Sequence, residues 1–595
     1  MRETLFIYNL CKRSLNCESR YPDDEGAIGI RMLFDLHTVP FSRFGSYFAF
    51  SILPERPDRE AGLYLRLVRG GDNDIGAVFR IELLAGGQAV PFTCSASSTL
   101  LRLEAEEGTV EWCIPEPDFI RVRSQGVGVR LTCAPGVYDY AFPLGERGWE
   151  FNSFVRERRF LLSPVAGSIR EDVRWDGVKA QRLAFDGVPG GDGKLELTLE
   201  EYRTVPRPLR PGSFEQGLAQ VRSEYAAWRS RMPAVAALWS EAEELAAYIT
   251  WSCVVQADGY LPRSAMYMSK NWMTNIWSWD HCFNAMALAA ADPDLAWDQF
   301  AIFFDRQDDS GMLPDFMNDK YALWNCCKPP IHGWTLRWLM NRSEAVTPER
   351  LAEIYEPLAR WTQWWFDYRD DDRDGVPQYN HGNDSGWDNS TVFLAAIPVE
   401  SPDLCAFLIL QMEVLATVAA KLGCAGEAEQ WERRSQELLM RMIEHFWRGD
   451  RFQAVQSGTH AGAVEGDSLM AYLPVVLGKR LPEPILRKLV EGLREEGRFL
   501  TAHGFATESI RSPLYAPDGY WRGPIWAPVM LLLVEGLKEA GEEQFAADVA
   551  RRFCRMAASA GMAENFDALE GHGLRDRAFT WTSSVFLLLA REYGA

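Results

Sequence analysis

Two hydrophobic patterns divide this chain. From about residue 32 to 203, apolar and polar side chains alternate over short runs, as in Leu195-Glu196-Leu197-Thr198-Leu199. That is the period of half-buried antiparallel strands. Ser46–Ile52, Gly62–Val68, Ala77–Leu84, Phe119–Arg123, Val127–Thr132, Arg159–Leu162 and Lys194–Glu200 share this strand character. Gly70-Gly71-Asp72-Asn73-Asp74 and Gly190-Gly191-Asp192-Gly193 carry turn chemistry. Many short strands so spaced predict an antiparallel β-sandwich over 32–204. Three prolines in Val205-Pro206-Arg207-Pro208-Leu209-Arg210-Pro211 prevent regular pairing and mark a linker. With the helix Phe214–Arg231 that follows, it spans 205–234.

From 235 to 595 the period lengthens to three and four, as in Leu404, Leu408, Gln411-Met412, Leu415 and Val418-Ala419. Helices are predicted at Ala237–Gln256, Trp279–Ala291, Asp294–Arg306, Pro348–Tyr368, Pro402–Leu422, Gly426–Trp447, Pro484–Glu496, Gly523–Ala540, Glu542–Ala560 and Thr580–Tyr593. Long links rich in Gly, Asn, Asp and Trp occur at alternate connections. The pattern fits a helical toroid in which inner and outer helices alternate and one rim carries the long loops. The regular repeat of a solenoid is not seen. Residues 1–31 lack the continuous apolar core and small-residue cleavage site of a signal peptide. A strand-like Leu33-Phe34-Asp35-Leu36 follows Met32, so Met32 is the expected natural start and 1–31 a disordered upstream extension.

With 595 residues, 47% hydrophobic and 24% charged, the chain has the composition of a soluble protein of two or three domains. A net charge of −21 argues against nucleic acid and anionic membranes as partners. No run of about 18 apolar residues marks a membrane span. The twelve cysteines form no CxxC pair and no Cys/His cluster with metal spacing. Buried thiols in a reducing, cytoplasmic setting are expected, and the chain can also form a homo-oligomer.

Candidate chemistry lies in two acidic segments flanked by aromatic residues. Asn383-Asp384-Ser385-Gly386-Trp387-Asp388-Asn389-Ser390 is one; Ala563-Glu564-Asn565-Phe566-Asp567, followed by Phe579-Thr580-Trp581-Thr582, is the other. Paired carboxyls among indoles and amides suit glycoside cleavage, in which one protonates the leaving oxygen and the other activates water. Burial against an indole would keep Asp388 protonated, and Glu564, just past a helix, can hold a water. Asp384, Asp280 and Asp567 compete for these roles, and spacing does not choose among them. Eighteen of the 22 tryptophans fall from Trp239 onward. Trp239, Trp251, Trp361, Trp364, Trp365, Trp431 and Trp447 lie within helices and read as core, whereas those beside acids and glycines offer flat faces for sugar stacking.

Six segments in order resemble glycoside hydrolase family 63, which includes inverting α-glucosidases and mannosylglycerate and glucosylglycerate hydrolases, and the related trehalases. They are Trp277-Ser278-Trp279-Asp280-His281, Gly311-Met312-Leu313-Pro314, Pro329-Pro330-Ile331-His332-Gly333-Trp334, Ser385-Gly386-Trp387-Asp388-Asn389-Ser390, Tyr520-Trp521-Arg522-Gly523-Pro524-Ile525-Trp526, and Glu564-Asn565-Phe566-Asp567 with Phe579-Thr580-Trp581-Thr582. The resemblance implies an (α/α)6 barrel over 235–595, with Asp388 as general acid and Glu564 as general base. It also implies that Trp279, Asp280, Trp387, Asn389, Tyr520, Trp521, Arg522, Gly523, Trp526 and Trp581 bind a small carbohydrate, with no metal or organic cofactor. An inverting reaction needs the two carboxyls about 6.5–9.5 Å apart.

Two positions depart from the pattern. Lys328 stands where a neutral, glutamine-like residue is expected; it reads either as a cationic contact to an acidic aglycone or as a solvated rim lysine. Asp384 replaces the glutamate of trehalases. The expected activity is exo-acting release of glucose from a small α-glucoside or α-gluco-oligosaccharide. A phosphorylase, a non-catalytic sugar-binding protein and a histidine-based epimerase are the alternatives. His281, His332, His381, His503 and His572 are too dispersed to nominate an epimerase pair.

Overall fold

The computed structural model describes residues 34–71, 75–208, 212–462 and 466–594. The expected N-terminal extension, Met32 and part of the linker lie outside the described residues. Phe34–Leu36 leads into a turn rather than a strand. The chain forms two compact units, one reaching to Ala226 and the other running from Ala227 to the C-terminus, with Arg69–Asp74 belonging to the second.

The first unit contains two antiparallel sheets. One runs in the order Phe48–Leu53, Gly62–Leu67, Ala77–Ala85, Gly128–Cys133, Ala180–Val188, Ser168–Trp175, with Gln88–Val90 also paired to the third of these. The other runs Tyr140–Pro143, Trp149–Ser153, Arg158–Ala166, Lys194–Tyr202, Phe119–Gln125, Gly108–Glu116, Leu101–Ala105, Thr93–Ala96. Their inner faces meet through aromatic side chains. Phe79 lies 6.1 Å from Phe160, Phe48 lies 6.4 Å from Phe160, and Phe50 packs edge-on at 5.3 Å against Trp112. Alternate inward residues supply this core, as period-2 patterning requires.

Twelve α-helices follow: α1 (Phe214–Arg231), α2 (Ser240–Ser252), α3 (Asp280–Leu288), α4 (Pro293–Ala301), α5 (His332–Arg342), α6 (Pro348–Tyr368), α7 (Pro402–Lys421), α8 (Ala425–Phe446), α9 (Glu483–Arg494), α10 (Ala527–Glu539), α11 (Glu543–Ala560) and α12 (Thr580–Tyr593). Leu469–Arg480 adds a tighter 3-10 segment, kinked at Gly478. In the second unit, α3, α5, α7, the 469–480 segment, α10 and α12 each pack against the next, and α12 packs back on α3. This closes an inner ring of six. Outer helices pack on five of the six: α2 on α12, α4 on α3, α6 and α8 on α7, α9 on the 469–480 segment, α11 on α10. The result is an (α/α)6 barrel.

Burial follows from ring position. Every residue of α3 is buried, whereas outer α8 buries Trp431, Ser435, Leu438, Met442 and Phe446 along one stripe. Helix α7 is long and apolar enough to cross a membrane by length and composition, with 83% of that stretch buried; an inner helix needs apolar residues on every face. Gly333 opens α5 to α7: a Cβ there would lie 2.3 Å from the Gln411 Cα, and its N–H donates to Gln411 Oε1 at 2.9 Å. Of the tryptophans expected in the core, six are buried, and Trp447, beyond the end of α8, is half-buried. All ten described cysteines are free thiols.

Candidate active site

The predicted site residues come from loops that feed the inner helices. Trp279 and Asp280 open α3. Asp388 follows a 3-10 turn, Gly382–Ser385, that ends on Gly386 in the left-handed region (φ 74°). Glycine is required there twice over, because a Cβ would also stand 2.6 Å from the Trp279 ring. Tyr520–Trp526 leads into α10, and Glu564 precedes the short strand Asn565–Phe566, just past α11.

Hydrogen bonding separates the competing carboxyls. Asp384 accepts from Cys327 N at 3.1 Å and from Asn380 N at 3.0 Å, so both its oxygens hold backbone. Asp567 Oδ1 accepts from Leu569 N and Glu570 N, both at 2.8 Å, and caps a turn. Glu564 is buried, and its Oε2 has no partner among the described residues. Burial, helped by the neighbouring Asp576 charge, pushes its pKa up to about 8. Asp280 is likewise buried with an unpartnered Oδ2, and burial lifts it to about 8 against the opposing pull of Lys328. Asp388 differs: 35% of its side chain remains accessible, although protein surrounds it closely enough for desolvation to raise its pKa against Lys328. That is the condition of a group on the wall of a cleft.

These groups act on one another electrostatically. Burial raises the Tyr520 hydroxyl pKa well above its ordinary value, and the charges of Glu564, Asp388 and Asp280 raise it further. The field of Asp388 also reaches both Glu564 and Asp280. Tyr520 is held in place on three sides. Its backbone takes a positive φ of 64°, its carbonyl accepts from Trp526 Nε1 at 2.9 Å, and Arg575 lies 4.8 Å over its ring.

The indoles pack against one another. Trp521 and Trp526 stack at 4.0 Å and 3°, Trp387 lies 5.1 Å from Trp521, and Trp581 stands edge-on to both Trp526 (5.3 Å) and Trp279 (6.1 Å). All five are buried. Only Trp521 and Trp526 lie face to face, and beside this aromatic group Asp388, Asn389, Tyr520 and Arg522 are half-buried. Asn389 is a clamp: its Nδ2 donates to Gly519 O at 3.0 Å and its Oδ1 accepts from Trp521 N at 2.9 Å. It ties the Asp388 loop to the Tyr520 loop. The Gly523 N–H donates to Thr507 Oγ1 at 3.0 Å, and Arg522 Nε is buried without a hydrogen-bond partner.

Lys328 is neither solvated nor on the rim. Its side chain is 5% exposed, and Nζ reaches Asp315 Oδ1 at 3.1 Å, Asn383 O at 2.8 Å and Asn383 Oδ1 at 2.9 Å. Asp388 Oδ1 lies 3.9 Å away. The ammonium thus donates two hydrogen bonds to Asn383 and pairs its charge with Asp315, so it is held by protein groups. Asp315, Arg575 and Asp576 were missed by sequence reasoning. Asp315 directly follows the Gly311–Pro314 motif, which was its only signal. His281 and His332, both buried, are pushed down to about 3 by desolvation and sit edge-on to Phe303 and Phe304 in the core, outside any acid/base pair.

The family described as mannosylglycerate hydrolase MGH1-like glycoside hydrolase domain matches residues 273–582. The chain belongs to this family. It is a glycoside hydrolase of family 63. A mannosylglycerate hydrolase of Selaginella moellendorffii is 23% identical over 398 residues, which cover 52% of this chain and 79% of that protein. A glucosylglycerate hydrolase of Mycolicibacterium hassiacum is 22% identical over 409 residues, 53% of this chain and 91% of its own. A bacterial glucoamylase solved with acarbose matches with a TM-score of 0.59 at 10% identity, over 96% of this chain and 97% of its own. That likeness is one of fold: a β-sandwich followed by an (α/α)6 barrel. The family match lies within the helical unit, and the likeness to the glucoamylase extends over both units.

Proposed function

We propose that this glycoside hydrolase releases a single hexose, glucose in the first instance, from a small α-glycoside with inversion. Asp388 is the general acid and Glu564 the general base. The observation that supports the reading is the pair itself: a buried Glu564 with an unpartnered Oε2, and an Asp388 that keeps 35% of its side chain accessible, each among the charges that act on Tyr520. Asp388 gives its proton to the glycosidic oxygen as the C1–O bond breaks. Glu564 takes a proton from the water that attacks C1 from the opposite face. Glu564 takes this role in its ionised form, which its pKa of about 8 puts on the alkaline side of neutrality, and its unpartnered Oε2 is the accepting oxygen. Because Glu564 lacks a protein donor at that oxygen, the attacking water is its natural hydrogen-bond partner. Asp280 and Arg522 are proposed to hold hydroxyls of the bound sugar.

The relatives named for mannosylglycerate and glucosylglycerate make small glycosides with an acidic aglycone the second reading. Arg522 Nε is the buried unpartnered donor available to such a carboxylate. Proton NMR of the purified protein with kojibiose, nigerose, trehalose, isomaltose, glucosylglycerol, glucosylglycerate and mannosylglycerate tests both readings. Initial appearance of the β-anomer from one α-glycoside supports the mechanism and names the substrate. Initial appearance of the α-anomer overturns the roles given to Asp388 and Glu564. A phosphorylase is disfavoured, because phosphate would make an unpartnered base carboxyl at the site superfluous.

A further inference from the structure

In the second unit, four side chains from distant parts of the chain converge. Asp374 comes from the loop after α6, Glu400 from the strand Val399–Glu400, His445 from the last turn of α8, and His460 from the turn after the strand Val455–Gln456. One ligand atom from each lies within 4.8 Å of the others. Asp370 and Asp372 form a second group around the same Asp374.

The distances show what this cluster lacks. Glu400 is fully buried; Oε2 meets His445 Nε2 at 2.6 Å, and Oε1 has no hydrogen-bond partner among the described residues. Asp370 Oδ1 is also buried without a partner. His445 Nδ1 lies 3.7 Å from Asp374 Oδ2. His460 Nε2 faces three carboxylates at once: Asp372 at 2.9 Å, Asp374 at 3.5 Å and Glu400 at 3.8 Å. The two imidazoles cross at 4.7 Å. Burying Glu400 beside Asp372 and Asp374, with one of its oxygens unpartnered, is costly unless positive charge is supplied.

We propose that Asp374, Glu400, His445 and His460 bind a first-row divalent transition-metal ion of the Zn2+ class. Two imidazole nitrogens with two carboxylate oxygens form a donor set for Zn2+ or Mn2+; Ca2+ and Mg2+ select oxygen alone. A tetrahedral ion with ligands at about 2.1 Å places their atoms ~3.4 Å apart, close to the spacing already present. Each imidazole faces more than one carboxylate. His445 meets Glu400 through Nε2 and faces Asp374 through Nδ1, so one nitrogen can take the ion while the other stays beside a carboxylate; His460 offers Nε2. The ion would fasten the three-stranded sheet of Gln378–Tyr379, Val399–Glu400 and Val455–Gln456. The first two of those strands flank in sequence the segment that carries Asp388, so the ion would tie together the two ends of that segment.

The test uses the full-length protein, stripped with chelator and titrated separately with Zn2+, Mn2+ and Ca2+. Binding is followed by calorimetry and elemental analysis, and thermal unfolding is measured beside them. The expected result is one Zn2+ per chain and a Tm raised by about 2–5 °C at saturation. Co2+ in place of Zn2+ should give a visible absorption band of a low-coordinate site. His460→Ala and His445→Ala should each weaken Zn2+ binding about 100-fold, while His37→Ala, in the other unit, should not change it. His460 is 43% exposed, so its variant is the one expected to fold if His445→Ala does not. Failure of the wild-type protein to bind Zn2+ or Mn2+ overturns the proposal. So does Ca2+ binding that both histidine variants retain.

Discussion

The ammonium of Lys328 lies 3.9 Å from the Asp388 carboxyl and is anchored there by Asp315 and Asn383. The proposed proton donor thus has a fixed, buried cation beside it. Desolvation lifts the Asp388 pKa, and Lys328 pulls it down. The balance of these two effects makes Asp388 a stronger acid than burial alone would.

Lys328→Gln removes the cation and keeps a neutral polar side chain. The pKa of Asp388 then rises, and the proton it must donate is retained to higher pH. The limb of the kcat/KM profile governed by Asp388 should move to higher pH by about one unit, and Lys328→Arg should not move it. A loss of activity at every pH with unmoved limbs would mean that Lys328 only supports the loop.

Asp388→Asn should lower kcat about 10²–10⁴-fold on a glycoside with a poor leaving group. A glycosyl fluoride needs less protonation and should recover most of the rate. Steady-state kinetics on the two substrates decide this; equal losses on both would remove Asp388 from the acid role.

Glu564→Gln should abolish hydrolysis of both substrates and stabilise the fold. The folded pKa of Glu564 stands above its ordinary value, from 4.5 up to about 8, so the native state holds this proton more tightly than the unfolded chain. Its contribution to stability is therefore full below pH 4.5 and is lost as pH rises through 8. The glutamine variant escapes that loss. Its advantage over wild type in denaturant unfolding should grow between pH 5 and 9, to as much as about 4 kcal/mol. An advantage independent of pH would indicate a packing effect.

Gly386→Ala combines a left-handed backbone with a Cβ 2.6 Å from the Trp279 ring. It should cost about 2–4 kcal/mol in denaturant unfolding and lower kcat by displacing Asp388. Near-native kcat in a destabilised protein would show that Trp279, rather than the acid loop, gives way.

The sequence patterns that were easiest to read were those set by a single periodicity. Phe214–Arg231, Pro348–Tyr368 and Thr580–Tyr593 begin and end where their spacing and prolines predict. Helix α5 was passed over because His332, Gly333 and Trp334 at its start read as a motif, and the tight 469–480 segment because Pro474 and Gly478 interrupt its pattern. Strands such as Gly108–Glu116 and Ala180–Val188 escaped for a related reason: irregular runs of buried residues blur the alternation. At the site, residue types were legible and directions were not. Asp384 and Asp388 are four residues apart, yet one is spent on backbone amides and the other faces the cavity, a difference set by the turn at Gly386. The tryptophans were recognised as a group, but stacking between Trp521 and Trp526 depends on tertiary packing that no local spacing encodes. The convergence of Asp374, Glu400, His445 and His460 was equally invisible, since their separations along the chain match no metal-binding motif.

The inner ring closes only when α12 reaches α3, and the carboxyl assigned as base enters the chain just before that last helix. The proposed base and the helix that closes the ring are thus neighbours in the chain, whereas the proposed acid lies far upstream of both. Bringing acid and base together and closing the ring are one event in folding, so a change that loosens α12 from α3 should disturb the pairing of the two carboxyls as well as the barrel.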